Sequence, residues 1–264
     1  DVCSSDLRDP NPKVSGKGID MMRKNGIEVT ERVMEEEARF INRAFFINQL
    51  YSRPFIVLKW AQSKDGFIDR LRKPSDNKKP VIISNKITHT IVHKFRSRVQ
   101  GIIVGTNTAI LDNPQLTSRK WYGNNPTRIV IDRDNKIPLD SALFDGTSPT
   151  IVFTSNLLPV GDERKYKKNM VKYIIIDFSK DTNVQIINKL YKEKIYSVIV
   201  EGGTSLLSSF IDKNLWDEAV VELSDKILYD GVKAPEIQGC EIMTNMYPDS
   251  KQFLLKSKIT RNIL

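Results

Sequence analysis

Cysteine and histidine are both scarce. The 264 residues hold two cysteines, Cys3 and Cys240, far apart in the chain, and two histidines, His89 and His93. So few thiols fit a reducing compartment rather than a disulfide scaffold. The same shortage disfavours a zinc centre. His89-x-x-x-His93 has the spacing of one helix face, but no Glu follows His89 and no third ligand is evident, so the pair reads as surface histidines on a helix. No apolar run approaches the length of a membrane span, which excludes a membrane partner of that kind. No G-x-G-x-x-G follows any strand-like run, so the common dinucleotide fingerprint is absent. No DNA- or RNA-binding signature is visible either. Lys and Arg number 41 against 32 Asp and Glu, a net charge of +9, but they are spread along the chain. That distribution suits an anionic small ligand better than a nucleic acid, and a phosphorylated ligand best.

What is present centres on Val198 to Phe210. Tyr196, Val198, Ile199 and Val200 make a short β-branched and aromatic run, the texture of a buried parallel strand. The run stops at Glu201, turns through Gly202-Gly203, and enters a helix that Thr204 or Ser205 can cap, with Leu206, Leu207, Phe210 and Ile211 on its apolar face. Free amides and the positive dipole end at that point suit a phosphate, and glycine lets the backbone approach it. Read from spacing alone, the same stretch also fits a plain β-α turn with a surface Glu, because a lone G-G is a weak motif.

Along the chain, the opening residues have no targeting character. Lys17 to Asn25 can form a short helix closed by Gly26, followed by a brief strand at Ile27 to Val29. Glu35 to Leu50 reads as one amphipathic helix. Strands are expected at Phe55–Ala61, Gly101–Gly105, Thr127–Asp132, Pro149–Thr154, Val171–Ile176, Asp217–Leu223 and Phe253–Ile259. Gln62 to Ile68 reads as a polar turn, and Arg70 to Pro80 as a charged, mobile loop. Ser84 is placed to cap a helix bearing Ile87, Ile91, Val92, Phe95 and Val99, and Thr182 to Lys194 forms another. Thr106 to Ala109 makes a turn or short helix, ended by Asp112-Asn113-Pro114. Strands alternating with helices imply an α/β fold with a mostly parallel sheet, whose ligands sit at the carboxyl ends of strands. Three such ends carry small, polar or charged residues: Gln62 to Gly66, Gly105 to Thr108, and Glu201 to Thr204.

Several spaced motifs agree in order with one family. They are Leu58-Lys59-Trp60-Ala61-Gln62-Ser63-Lys64-Asp65-Gly66, Ile83-Ser84, His93 to Arg96, and Val104 to Arg119 with Thr108, Asp112, Pro114, Leu116 and Arg119. Arg128 to Asp132, Glu201-Gly202-Gly203 and Asp217-Glu218 follow. From about Arg53 to Leu228 the chain resembles the reductase half of the bifunctional riboflavin-biosynthesis deaminase-reductases. Residues 1–52 resemble the tail of the deaminase half plus a linker helix, without its zinc-binding H-x-E and P-C-x8-C signature, and residues 1–7 match nothing in the family.

The resemblance implies a dihydrofolate-reductase-like α/β fold, with residues 53–264 as the reductase domain. It implies NADPH-dependent reduction of 5-amino-6-(5-phosphoribosylamino)uracil to the ribityl compound, in the cytoplasm, by a homodimer or larger homo-oligomer. The cofactor is expected near Ala61, Thr108, Asp112, Arg133 and the run Gly203, Thr204, Ser205, Leu206, Leu207, Ser208 and Ser209. The substrate is expected near Arg96, Leu116, Arg119 and Glu201. Lys59, Glu201 and Asp112 are the candidate polar groups for the chemistry, with no zinc. Two positions depart from the family pattern: Ile82 stands where a Trp commonly precedes Ile-Ser, and Pro80 where a substrate-contacting Ser stands. A folate or other pyrimidine or pteridine reductase would keep the same fold. A basic nucleic-acid-binding module is the rival from another class, and its mark would be steeply salt-dependent binding to unrelated duplexes.

Overall fold

A computed structural model describes residues 2–5, 7–11, 13–73, 75, 79–156 and 170–263, with side chains for all of these except 2, 4 and 261–263. Positions 74 and 76–78 of the charged loop lie outside the described residues.

The first segment contains strand β1 (Val2–Ser5), helix α1 (Lys17–Lys24), strand β2 (Glu28–Glu31) and helices α2 (Glu35–Ile41) and α3 (Arg43–Tyr51). β1 and β2 pair in parallel, apart from the main sheet. The single helix expected over Glu35 to Leu50 is broken at Asn42, whose side-chain amide donates to the Ala38 carbonyl. A short polar side chain that bonds the preceding turn competes with the helical ladder, and here it re-aims the chain. α3 then docks through Asn48, which donates to the carbonyls of Arg53 and Tyr196.

The remaining strands are β3 (Phe55–Gln62), β4 (Phe67–Asp69), β5 (Gly101–Gly105), β6 (Thr127–Ile131), β7 (Thr150–Thr154), β8 (Val171–Ile175), β9 (Ser197–Glu201), β10 (Glu218–Ser224), β11 (Val232–Lys233), β12 (Cys240–Tyr247) and β13 (Ser250–Lys256). The helices are α4 (Lys86–Arg96), α5 (Thr106–Asp112), α6 (Thr182–Lys192), α7 (Thr204–Asp212) and α8 (Lys258–Ile263). Nine strands form one sheet in the order β12-β13-β10-β3-β9-β5-β6-β7-β8. Every pair from β10 to β8 is parallel, and β13 is antiparallel to both of its neighbours. This is the α/β architecture the resemblance implied: a mostly parallel central sheet flanked by helices.

Each central strand is buried on both faces, which is why these stretches read as continuous apolar runs. Alternate residues divide between two cores. Leu58, Trp60, Val198 and Val200 face α6 and α7, where Ile186, Leu190, Leu207 and Phe210 close the layer. Phe55, Val57, Ile199 and Val220 face the other way, toward Ile47 of α3 and Ala109 of α5. β9 returns late in the sequence to lie between β3 and β5, so the strand order reverses there, and in open α/β sheets ligands bind at the carboxyl ends beside such a reversal.

Three further local expectations differ from the structure. The strand expected at Phe253 to Ile259 is the second arm of the β12–β13 hairpin and ends at Lys256. Ser257 then takes the Thr260 amide on its hydroxyl and starts α8. Asn85, not Ser84, caps α4, exchanging bonds with Thr88. Gly203, not Thr204 or Ser205, is the N-cap of α7.

Candidate active site

The site grows from three parallel neighbours, β10, β3 and β9. Register places Lys59 directly beside Glu201 on one side and Val220 on the other. Side chains alternate along a strand, so Glu222, two residues past Val220, shares the face of Lys59 and Glu201. The row extends the Val57, Ile199 and Val220 layer beyond the point where apolar residues stop. Lys59 and Glu222 are buried, and the Glu201 side chain is 13% exposed.

From above, α4 delivers Arg96. Its Nε and Nη2 donate to the two carboxylate oxygens of Glu201 at 3.1 and 2.6 Å, and Nη1 donates to the Thr117 carbonyl at 3.3 Å. This is the two-pronged, charge-assisted geometry in which arginine binds carboxylates most strongly. Burial opposes ionisation of Glu201, but Arg96, with help from Lys59, holds its carboxyl below the ordinary glutamate value. Burial likewise opposes the charge of Arg96, and Glu201 more than restores it. Lys59 differs: burial pulls its ammonium below the ordinary value, and the carboxylates of Glu201 and Glu222 resist that pull. Among the described residues, the Lys59 side chain makes no hydrogen bond or ion pair.

The histidines are not both surface residues. His93 is completely buried one turn before Arg96, and neither ring nitrogen finds a partner among the described residues. Burial, then the charges of Arg96 and Arg119, push its pKa down to about 4, so the ring is neutral near pH 7. The reason lies in the helix phase: His89, His93 and Arg96 share the face of α4 that turns toward the sheet. Arg119 is exposed, and donates to the Thr117 hydroxyl at 3.2 Å. It borders a cavity of about 310 Å³ that Thr117, Trp121 and Asp145 also line. A larger cavity of about 430 Å³, around Arg98, Gln100, Thr127 and Lys194, lies at the amino ends of β5 and β6, away from these groups. Leu116 is no open wall of the site. It is 2% exposed and packed in the core at φ +51°, so only its backbone is free to meet a ligand.

Two helix starts flank the carboxylate row at the ends of adjacent strands. α5 begins at Gly105 and α7 at Gly203, and neither first turn has a capping side chain. A Cβ added to either glycine would meet nothing within 4 Å, so open space lies in front of both. Uncapped amides facing such space fit the phosphates of a dinucleotide. Gly202 closes the wall between them: its φ is +136°, and a Cβ there would sit 3.1 Å from Thr108 Oγ1. Thr204 spends its hydroxyl on the Lys233 carbonyl, which leaves its amide and that of Ser205 for a ligand.

The second half of the expected cofactor run does not join this cradle. The Leu206 and Leu207 amides both donate to the Gly203 carbonyl, and the Leu207 side chain is wholly in the core. Ser209 turns to Leu206 and to Asn183 of α6. Ser208 is half-buried further along the same helix. Ala61 sits at the end of β3, level with Glu222. Arg133, just past β6, is exposed and lies over the Phe178 ring. Asp112 is bound by Arg72 at 2.5 Å, and Arg72 also holds Asp69. Burial raises the Asp112 pKa despite that cation.

Sequence reasoning missed three of these participants. Glu222 was hidden inside an apolar run, where its period-2 spacing from Val220 was the available signal. Arg72 lay in a loop read as merely charged. Thr117 acts through its carbonyl and hydroxyl, which no motif exposes. The described residues contain no group of three or more His, Cys, Asp or Glu able to hold a metal ion. No helix among them is long and apolar enough to cross a membrane.

Comparison with known proteins bears on the same residues. The riboflavin biosynthesis protein RibD of Aquifex aeolicus is 35% identical over 232 residues, covering 87% of this chain and 62% of that protein. RibD of Chlamydia pneumoniae is 31% identical over 259 residues, 95% of this chain and 66% of its own length. The chain therefore spans just under two thirds of these curated relatives. Among solved structures, a diaminohydroxyphosphoribosylaminopyrimidine deaminase/5-amino-6-(5-phosphoribosylamino)uracil reductase from Thermotoga maritima superposes with a TM-score of 0.81 at 29% identity, over 97% of this chain and 71% of that one. Residues 54–239, which contain β3, β5, β9 and β10 with the whole carboxylate row, match the RibD C-terminal domain, and the chain belongs to that family.

Proposed function

We propose that this chain reduces 5-amino-6-(5-phosphoribosylamino)uracil to 5-amino-6-(5-phosphoribitylamino)uracil with NADPH, in the cytoplasm, and that residues 53–264 are the domain responsible. Residues 1–52 are then the end of a preceding deaminase-type domain with its linker helix. One observation carries the reading: Lys59, Glu201 and Arg96 meet at strand ends beside two uncapped glycine-led helix starts. Family membership and the names of the relatives supply the substrate class.

In this reading the amides of Thr204 and Ser205, with the start of α5, hold the cofactor phosphates. The bound nicotinamide supplies the two electrons and the hydrogen that reduce the sugar carbon. The protein's own part is positioning and proton management. Arg96 fixes both oxygens of Glu201, so that carboxylate meets the sugar in one orientation, which is where much of an enzyme's advantage arises. Lys59, whose buried side chain has no hydrogen-bond or ion-pair partner among the described residues, can hydrogen-bond the ribose oxygen that gains a proton when the ring opens. Arg119, exposed at the mouth, suits the substrate's phosphate or pyrimidine. The loss of NADPH absorbance on adding the phosphoribosylamino-pyrimidine tests this. Turnover is expected with that compound and not with dihydrofolate. A folded protein that neither binds NADPH nor consumes it with this substrate refutes the proposal.

A further inference from the structure

We propose that Glu222 is the counter-charge of Lys59: a positioning residue, separate from the Arg96–Glu201 pair, that keeps the Lys59 side chain an ammonium. Its catalytic consequence rests on the reductase reading above; the pairing itself does not.

Three charged groups act on Lys59: Glu201, Glu222 and Arg96. Arg96 engages both oxygens of Glu201, so that pair is internally neutral. Lys59 and Glu222 remain, both buried. An isolated ammonium in such surroundings sheds its proton unless an opposite charge stands near. Strand register supplies two: Glu201 directly beside Lys59, already engaged by Arg96, and Glu222 one alternation beyond Val220 on the other side, with no cation of its own among the described residues.

The carboxylate is held firmly. Ser84 Oγ donates to Oε2 at 2.6 Å and Thr88 Oγ1 to Oε1 at 2.7 Å. Both donors are neutral, so they fix the group without cancelling its charge. Thr88 is itself locked in the capping box with Asn85, at the start of the helix that carries Arg96. The other titratable or charged groups around the pair are His89, His93 and Arg96 on α4, Glu201 on β9 and Tyr247 on β12. Burial, and secondarily the charge of Glu222, raise the Tyr247 phenol above its ordinary value. The simpler role for Glu222 is to tie α4 to β10 through two hydroxyls, and the experiment must separate the two.

Lysine ¹³Cε NMR does so, with Lys59 assigned by its loss in Lys59→Met. Glu222→Gln keeps shape and removes charge, whereas Ser84→Ala removes one clamp and keeps charge. The Lys59 titration midpoint is expected to fall in Glu222→Gln and to stay in Ser84→Ala. In the NADPH assay the alkaline limb of kcat should move acidward only in Glu222→Gln. Its kcat at pH 9, relative to pH 7, should drop several-fold against the parent, within the roughly tenfold ceiling that a one-unit move of a required ammonium sets. An unchanged Lys59 midpoint in folded Glu222→Gln overturns the proposal. If that variant does not fold, Glu222→Asp withdraws the charge by one methylene, and an unchanged midpoint there overturns it equally. A shifted midpoint in a protein that never turns over the pyrimidine leaves the assignment standing and refutes the reductase reading instead.

Discussion

Gly202 and Gly203 are adjacent, yet substitution should damage different things. Gly202 has φ +136°, a region closed to side-chain-bearing residues, and its added Cβ would press on Thr108 Oγ1 at 3.1 Å. Backbone strain of this kind costs about 1–3 kcal/mol. For a chain of this size that lowers Tm by roughly 2–12 °C. Gly203 has φ −77° and ψ 163°, ordinary extended backbone, and nothing lies within 4 Å of its added Cβ. Gly203→Val should therefore cost about 1 kcal/mol or less in stability, mostly from a poorer N-cap. Its isopropyl group would instead fill the space where a phosphate approaches α7, and NADPH affinity should fall about tenfold or more. Thermal unfolding and fluorescence titration with NADPH, run on both variants, read the two effects separately. The expected pattern is a lower Tm for Gly202→Ala and weak binding at near-parental Tm for Gly203→Val. Parental NADPH affinity in folded Gly203→Val would refute the cradle, and a parental Tm in Gly202→Ala would refute the strain argument.

Three further outcomes follow from the same geometry. Glu201→Gln should lower kcat about 10²-fold with NADPH affinity nearly intact, and a near-parental kcat would reduce Glu201 to a turn residue that merely anchors Arg96. His93 titrates near 4 in the fold against 6.5 unfolded, so the unfolded chain takes up the proton first as pH falls. Its contribution to stability is whole above about pH 6.5 and is lost between 6.5 and 4; urea midpoints of His93→Leu should show a shallower decline across that window, and identical slopes would contradict the burial argument. Asp217 accepts two bonds from Arg53, each at 2.7 Å, and one from the Ile56 amide, all in the interior. Asp217→Ala strands a buried guanidinium and should cost about 3–5 kcal/mol by chemical denaturation; a loss under about 1 kcal/mol would mean that Arg53 finds another partner.

Much of the fold was legible because the central strands are buried on both faces. Ile102-Ile103-Val104 and Val198-Ile199-Val200 are unbroken apolar runs, and their ends stand out where polarity returns. The β12–β13 hairpin was largely missed because β12 lies at the sheet edge, half-exposed and without a clean alternation. The Asn42 break in the first-segment helix was missed because a hydrogen bond from one amide, not a period, decides it. In the site, Lys59, Arg96 and Glu201 were found from motifs. Leu116 and Leu207 were assigned alongside them, and their side chains proved to be core, since a motif marks a position and says nothing about which way the residue faces.

Composition and periodicity determined the α/β class, the mostly parallel sheet and the polar strand ends, because local propensity and two-sided burial act along contiguous sequence. The partners were decided only when β9 returned to lie between β3 and β5. That step sets Glu201 beside Lys59 across 142 positions of chain. It brings Arg96 onto Glu201, and it places Glu222 on the same face through the register of β10. Charges so far apart in sequence have no local preference for one another. Their pairing follows from strand order and side-chain phase, and those are properties of the sheet as a whole.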